Sequence, residues 1–158
     1  MKKLLLLFVL SLSLFFVGCD NQEEGKYEKG TYFGSHQFES RGNTFVTTAV
    51  VHVNDNGDIE SVFIDTTYTS GEVNTTKKTL GDDYGMKPRS AEIGVIDGGA
   101  EWYEQIEALE EAIVENQGLD FINWTNDEET ETDSVSGVTV TIDTYHAAVN
   151  MALEQALR

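Results

Sequence analysis

Apolar and polar positions along the chain follow two different periods, and the first half has the pattern of β-strands. Three segments are rich in β-branched and aromatic residues: Gly30–Phe38, Thr44–Val53 and Ile59–Tyr68. A turn signal at residues 41–43 separates the first two segments. The Asn-Gly pair within Asn54–Asp58 marks a hairpin before the third. This half of the chain is therefore predicted to form an antiparallel meander.

The second half changes to the period of an α-helix. A helix is predicted over Glu101–Gln117, in which large apolar residues recur at spacings of three and four. These residues are Trp102, Ile106, Leu109 and Ile113. Glutamates fill the opposite face, and Gly118 is the expected C-cap.

A second helix is predicted to run from Asp143, the expected N-cap, to Leu157. Its apolar face consists of Tyr145, Val149, Ala152 and Ala156. The chain has no internal repeat and is long enough for one domain with a modest core. We expect a single α+β domain, an antiparallel β meander packed with two main helices.

Other segments follow neither period. Thr69–Thr79 is polar and is predicted to be a loop, and Leu119–Trp124 is expected to form a short strand or a buried loop. Pro88, the only proline, should bias Lys87 away from a helical conformation.

The N-terminus has the organisation of an export signal. Lys2 and Lys3 precede the apolar run Leu4–Val17, which is too short to favour a membrane-spanning helix. The Phe-Val-Gly-Cys sequence that ends at Cys19 resembles a bacterial lipobox. In a lipobox the cysteine receives a lipid and becomes the mature N-terminus. The alternative is an ordinary signal peptide that precedes an unmodified cysteine.

The lipobox predicts how the chain is divided. A lipoprotein signal peptide is expected at residues 1–18, a polar tether at 19–28 and the folded domain at 29–158. The mature protein would then lie on the extracytoplasmic face of the cell membrane, with membrane lipid as a partner through Cys19.

Charge and cysteine content exclude several classes of function. The net charge is −18, and loss of residues 1–18 removes two lysines and no acids, which leaves −20. Such a surface repels nucleic acid and anionic headgroups, so anchoring would depend on acyl chains. Because Cys19 is the only cysteine, thiolate-bound iron–sulfur clusters, c-type haem and disulfides are excluded.

The stretch at residues 133–141 carries the candidate chemistry. Asp133, Ser136, Gly137 and Thr139 form an Asp-x-x-Ser-Gly-x-Thr pattern. Serine-glycine is a turn dipeptide, and aspartate and threonine are helix caps, so one interpretation is a turn that leads into a capped helix. The other interpretation is a site of covalent attachment.

The pattern is similar to the acceptor motif of the FMN-binding domain family. That family includes the C subunit of the sodium-pumping NADH:quinone oxidoreductase, the G subunit of the Rnf complex and lipoproteins of extracellular electron transfer. In it a flavin transferase cleaves FAD and leaves FMN joined through its phosphate to the threonine hydroxyl. The resemblance implies that Thr139 is the acceptor and that Asp133, Ser136 and Gly137 form the recognition frame.

The residues around Thr139 are compatible with this chemistry. Gly137 allows a positive φ and a close backbone approach, and Thr141 is a candidate phosphate contact. The positive end of the following helix, with its free amides, should favour a phosphate. Val138 stands where the family usually has alanine.

A second segment, Leu80–Met86, also resembles the flavin domains of electron-transfer lipoproteins. It reads Leu-Gly-Asp-Asp-Tyr-Gly-Met and is followed by a Glu-Trp-Tyr-Glu-Gln helix start. The resemblance implies contacts with the isoalloxazine ring from Leu80, Gly81, Tyr84, Gly85 and Met86. The alternative is a solvated turn.

Metal binding is less favoured by the sequence. The acidic pair Asp82-Asp83 lacks the spacing of an EF-hand loop. The segment Asn54–Asp58 resembles half a calcium loop, but it lies where a hairpin turn is expected. The three histidines are scattered at spacings that do not suit a shared metal ion. Trp102 and Trp124 are expected in the core.

The lipobox and the resemblance to the FMN-binding domain family together imply a lipid-anchored electron carrier with covalent FMN and no catalytic residues of its own. Its expected partners are a flavin transferase, a membrane NADH dehydrogenase or quinol as donor, and an extracellular acceptor or another carrier. Lys77, Lys78, Lys87 and Arg89 are expected to offset the acidic surface near the flavin. The rival interpretations are a cofactor-free solute-binding or surface lipoprotein, and a flavin-dependent reductase subunit that acts on a small molecule.

Overall fold

A computed structural model describes residues 25–158. It contains one antiparallel sheet in the order β1-β2-β3-β4, formed by Gly30–Ser40, Asn43–Val53, Ile59–Ser70 and Val73–Thr76. Its α-helices are α1 (Lys77–Leu80), α2 (Lys87–Ile93), α3 (Trp102–Glu115) and α4 (Asp143–Ala156). A 3₁₀ helix at Gly81–Tyr84 joins α1 to α2. The predicted α+β domain with a β meander is confirmed.

One hydrophobic core joins the sheet to α3 and α4. Alternate residues of β2, namely Ala49, Val51 and Val53, are fully buried, as the period of a strand with one covered face requires. The apolar residues predicted for the two helices join them in the same cluster. Burial of these faces supplies the main stabilisation of the fold.

Helix α4 lies directly against the backbone of β1. Gly34 is buried, and a Cβ built there would stand 1.9 Å from the Ala148 carbonyl oxygen. The helix can approach the strand this closely only because residue 34 has no side chain.

The two main helices differ from prediction at their ends. The C-cap of α3 is Asn116, not Gly118, and Gln117 has the positive φ of 55°. The N-cap of α4 is Ile142, so Asp143 lies in the first turn and not at the cap. Ile142 is fully buried and its amide donates to the Thr130 carbonyl at 2.8 Å, so core packing and not a polar cap fixes where α4 begins.

The predicted loop at Thr69–Thr79 is wrong, because β3 continues to Ser70 and pairs with β4. Thr76 then caps α1 by accepting a hydrogen bond from the Thr79 amide. None of the β4 residues is buried, and Val73 is 50% exposed. A strand without a buried face needs no apolar alternation, so the sequence shows no strand period here.

The folded part begins earlier than residue 29. The Gly25 amide donates to the Asn56 carbonyl at 2.7 Å, and Tyr27 is 2% exposed and pairs with Leu157. Residues 25–28, predicted to belong to the tether, therefore pack on the domain. The predicted signal peptide and Cys19 lie outside the described residues.

Replacing Gly34 with alanine should destabilise the protein. The new methyl group would overlap the Ala148 carbonyl and force α4 away from β1, at a cost of about 2 kcal/mol or more in the free energy of unfolding. Urea unfolding measures this cost. The control is Gly30→Ala on the same strand, where the closest group is the Tyr32 side chain at 3.0 Å. Equal stability of the two variants would contradict close packing of α4 on Gly34.

Candidate functional site

Glu101, the residue immediately before α3, holds the segment that contains Met86 in place. Glu101 is 3% exposed, and its carboxylate accepts hydrogen bonds from the Met86 amide at 2.8 Å and the Lys87 amide at 2.9 Å. Glu101 also caps α3 through a capping box with Glu104. One buried carboxylate therefore ties the start of the helix to the end of Leu80–Met86.

One turn along α3, Gln105 fixes the candidate acceptor in the same way. Gln105 is 1% exposed, and its Oε1 accepts from the Thr139 amide at 2.8 Å and the Thr139 hydroxyl at 3.1 Å. The Val140 amide donates to the same oxygen at 3.3 Å. Glu101 and Gln105, separated by four residues, thus bring together two segments that are more than fifty residues apart in the sequence.

A cavity of about 430 Å³ lies where the two segments meet. Tyr84, Gly85 and Met86 line it from one segment, and Thr139 and Val140 line it from the other. Its remaining lining residues are Arg41, Tyr68, Arg89, Ser90, Ile93 and Gln105. The structure therefore brings together four of the residues predicted as cofactor contacts.

A second cavity, of about 530 Å³, lies on the other side of Thr139. Asp133, Ser136 and Gly137 line it, together with residues of the α2–α3 connection such as Val95 and Asp97. Because Thr139 and Val140 line both cavities, these two residues lie at their junction. Thr139 itself is exposed.

Three predicted contacts line neither of these two cavities. Gly81 lines a different cavity, beside Asp82 and Tyr103, and Leu80 does not line the cavity that contains Thr139. Thr141 lines neither of the cavities that meet at Thr139. The reason is the 3₁₀ helix, which turns Leu80 and Gly81 away before Tyr84 is reached.

The backbone around the motif has a simple physical basis. Val135 and Val138 are each 7% exposed, and the Val138 amide donates to the Val135 carbonyl at 3.4 Å. The turn between them exposes Ser136 and Gly137, and Gly137 has the positive φ of 85°. Val138 therefore contributes to the core.

The free amides at the positive end of α4 were expected to favour a phosphate, and three amides that precede this helix already have hydrogen-bond partners. The amides of Thr139 and Val140 donate to Gln105, and the Ile142 amide donates to the Thr130 carbonyl. These donors are already satisfied, so they cannot bind an anion without breaking an existing bond.

Lys87 was expected to avoid a helical conformation, and it instead begins α2. Pro88 occupies the first turn of this helix, where its missing amide costs nothing. Met86 is the N-cap, and its amide is held by Glu101.

The charged residues that line the first cavity are both cations, Arg41 and Arg89, although the protein as a whole is acidic. Lys78 and Lys87 pair with Glu110 and Glu104, so the charges of these two lysines are compensated. Arg41 and Arg89 line the cavity, and no carboxylate of residues 25–158 lies within salt-bridge distance of either. The cavity is thus suited to a negatively charged ligand.

Lys77 lies close to the rings of Tyr84 and Trp102. Its Nζ is 5.4 Å from the centre of the Tyr84 ring and 5.0 Å from that of Trp102. Burial lowers the pKa of Lys77 to about 8, while Asp65 opposes the shift. Burial also raises the pKa of Tyr84, with Tyr68 adding to the shift and Arg41 opposing it.

The tryptophans occupy structural positions, as expected for Trp102. Its ring is 1% exposed, and its indole nitrogen donates to the Tyr145 hydroxyl at 2.9 Å. Trp124 is partly buried, packs against the core and contacts the ring of His146.

Sequence reasoning missed Glu101, Gln105, Arg41 and Tyr68. Gln105 did carry a signal, since it lies three residues after Trp102 and four before Leu109, on the apolar stripe of the helix. A glutamine in that place must have hydrogen-bond partners when buried. Arg41 and Tyr68 gave no such signal, because the sheet brings them to the cavity from distant parts of the chain.

Comparison of the chain with protein-family models, curated proteins and solved structures found no match. The resemblance to the FMN-binding domain family therefore stays a prediction. Among residues 25–158, no helix has the length and apolar character needed to cross a membrane.

Stability should depend on pH through Lys77. The folded-state pKa of Lys77 lies below its ordinary value of 10.5, so between pH 8 and 10.5 the unfolded chain binds a proton that the folded protein has released. Wild type should therefore gain stability relative to Lys77→Met as pH rises through this window, by up to about 1.4 kcal/mol per pH unit. Urea unfolding at several pH values measures the difference.

The control is Lys29→Met, which removes an exposed lysine. The difference in the free energy of unfolding between wild type and Lys29→Met should change little between pH 8 and 10.5. A difference between wild type and Lys77→Met that stays constant from pH 7.5 to 10 would contradict the lowered pKa.

Proposed function

We propose that this protein is an electron carrier with FMN joined covalently, through its phosphate, to the hydroxyl of Thr139. In this proposal it is a lipoprotein, anchored through Cys19 on the extracytoplasmic face of the membrane. It accepts electrons from a membrane NADH dehydrogenase or quinol and passes them to an extracellular acceptor or another carrier.

The observation that carries the proposal is the convergence of two separate segments on one cavity. Both were selected from the sequence as flavin contacts, and neither predicts the other's position. Tyr84, Gly85 and Met86 share the 430 Å³ cavity with Thr139. A turn-and-cap interpretation of residues 133–141 gives no reason for this arrangement.

The residues of the cavity suit a planar aromatic ligand that carries a phosphate. Tyr84 and Tyr68 meet edge to face with ring centres 5.6 Å apart, and Met86 adds a polarisable apolar surface. Arg41 and Arg89 supply the positive charge that a phosphate or a reduced flavin would require. The volume is within the usual range of about 300–1,000 Å³ for ligand pockets.

When bound, FMN supplies reversible electron-transfer chemistry, and the protein supplies orientation and electrostatics. Glu101 and Gln105 hold the two cavity walls at fixed separation through the backbone amides described above. The rings of Tyr84 and Tyr68 line the cavity and offer apolar surface to the ligand. The two arginines stabilise a negative charge in the cavity, and the acidic outer surface destabilises it.

Attachment requires one substitution at phosphorus. The Thr139 Oγ forms a bond to the phosphorus of the FMN half of FAD, and the pyrophosphate P–O bond breaks. AMP leaves with the bridging oxygen, and the hydroxyl proton passes to a base of the flavin transferase. Threonine hydroxyls are weak nucleophiles, so the transferase must supply this base.

Thr139→Ala should abolish covalent flavin, since it removes the only atom to which the phosphate is attached. The measurement is flavin fluorescence on a denaturing gel, together with intact mass, after co-expression with a flavin transferase. Thr141→Ala is the matched control and should remain fluorescent. A fluorescent Thr139→Ala protein would place the bond elsewhere. A dark, unmodified wild type would instead favour a cofactor-free lipoprotein.

A further inference from the structure

We propose that Gln105 is the residue that positions the Thr139 hydroxyl for modification and selects it over Thr141. This role rests on the proposed function. Gln105 lies on α3, outside the motif at residues 133–139, so this role gives the helix a part in the attachment step.

The hydrogen bonds at Gln105 determine how its amide is oriented. Three donors face Oε1: the Thr139 amide, the Thr139 hydroxyl and the Val140 amide. On the other side, Nε2 faces the Ala100 carbonyl at 3.4 Å and the Met86 Sδ at 3.5 Å. In a flipped amide, Nε2 would face the backbone amides of Thr139 and Val140, and Oε1 would face the Ala100 carbonyl oxygen. Only the observed orientation of the Gln105 amide therefore satisfies its hydrogen bonds.

This geometry prepares the hydroxyl for bond formation. The hydroxyl of Thr139 donates its only proton to Gln105, which fixes the side-chain rotamer and leaves the lone pairs of Oγ for the incoming phosphorus. The backbone amides of Thr139 and Val140 donate to the same oxygen and hold the backbone of residue 139 in place. An amide oxygen is not basic enough to remove the proton, so Gln105 acts through position and not as a catalytic base.

The same geometry distinguishes two nearby hydroxyls. Thr139 and Thr141 are both exposed, two residues apart, and chemically identical. Within the described part of the chain, Gln105 holds the Thr139 side chain and makes no hydrogen bond with Thr141. A positioned acceptor reacts faster than a mobile one because its orientation entropy has already been lost.

The test compares Gln105→Met, which removes the acceptor at nearly constant volume, with Gln105→Glu, which retains an oxygen at that position. The matched control is Gln117→Met, because Gln117 also bonds backbone groups, at Ile59, but lies far from the motif. Each unmodified protein is incubated with the purified transferase and FAD. Intact mass gives the rate of FMN incorporation, and fragmentation gives its distribution between Thr139 and Thr141.

A second readout needs no flavin. Amide hydrogen exchange in the unmodified proteins, followed by NMR, reports directly whether Thr139 and Val140 are held. We expect Gln105→Met to accelerate exchange at these two amides and to slow incorporation roughly tenfold to a hundredfold, with an unchanged KM for FAD. Gln105→Glu should restore slow exchange and Thr139 selectivity, and Gln117→Met should match wild type in both readouts.

Two results would overturn this role while leaving the proposed function intact. One is modification of Gln105→Met at the wild-type rate and only at Thr139. The other is slow modification of Gln117→Met as well, which would show that the rate follows general stability. A wild type that takes up no FMN would overturn the proposed function itself, and this role with it.

Discussion

Two buried acceptors at the start of α3 determine the arrangement of the candidate site. Glu101 and Gln105 are each 3% exposed or less, and buried oxygens must receive hydrogen bonds to offset the loss of water. Their donors are backbone amides of Met86, Lys87, Thr139 and Val140. The requirement to satisfy two polar groups in the core therefore draws two connecting segments to one place, and the cavity is the space between them.

The charge distribution around that cavity runs against the charge of the protein as a whole. The full chain carries −18, yet Arg41 and Arg89 border the cavity without carboxylate partners among residues 25–158. Lys78 and Lys87 do not line the cavity, and each pairs with a glutamate of α3. An unpaired arginine is stabilised by an anion, which supports a phosphate ester over a neutral solute as the proposed ligand.

The sequence allowed the meander, α3, α4 and the α+β class to be predicted, because each main element has one face in the core and therefore a regular apolar period. Strand β4 has no buried face and α1 is a single turn, so neither produced a pattern. Within the site, Thr139, Tyr84, Gly85 and Met86 were found from local motifs. Gln105, Arg41 and Tyr68 depend on tertiary contacts between distant segments. Leu80 and Gly81 do not line the cavity, because they precede Tyr84 by a 3₁₀ helix that was not predicted.

The central claim is that Thr139 carries FMN. It is tested most directly on the wild-type protein, produced with a flavin transferase and cleaved after glutamate. The fragment 132–154 contains Thr139 and Thr141 together with Ser134 and Ser136. The account predicts that this fragment gains the mass of FMN less one water, and that fragmentation assigns the gain to Thr139. An unmodified fragment, or a flavin on any other hydroxyl, would contradict it.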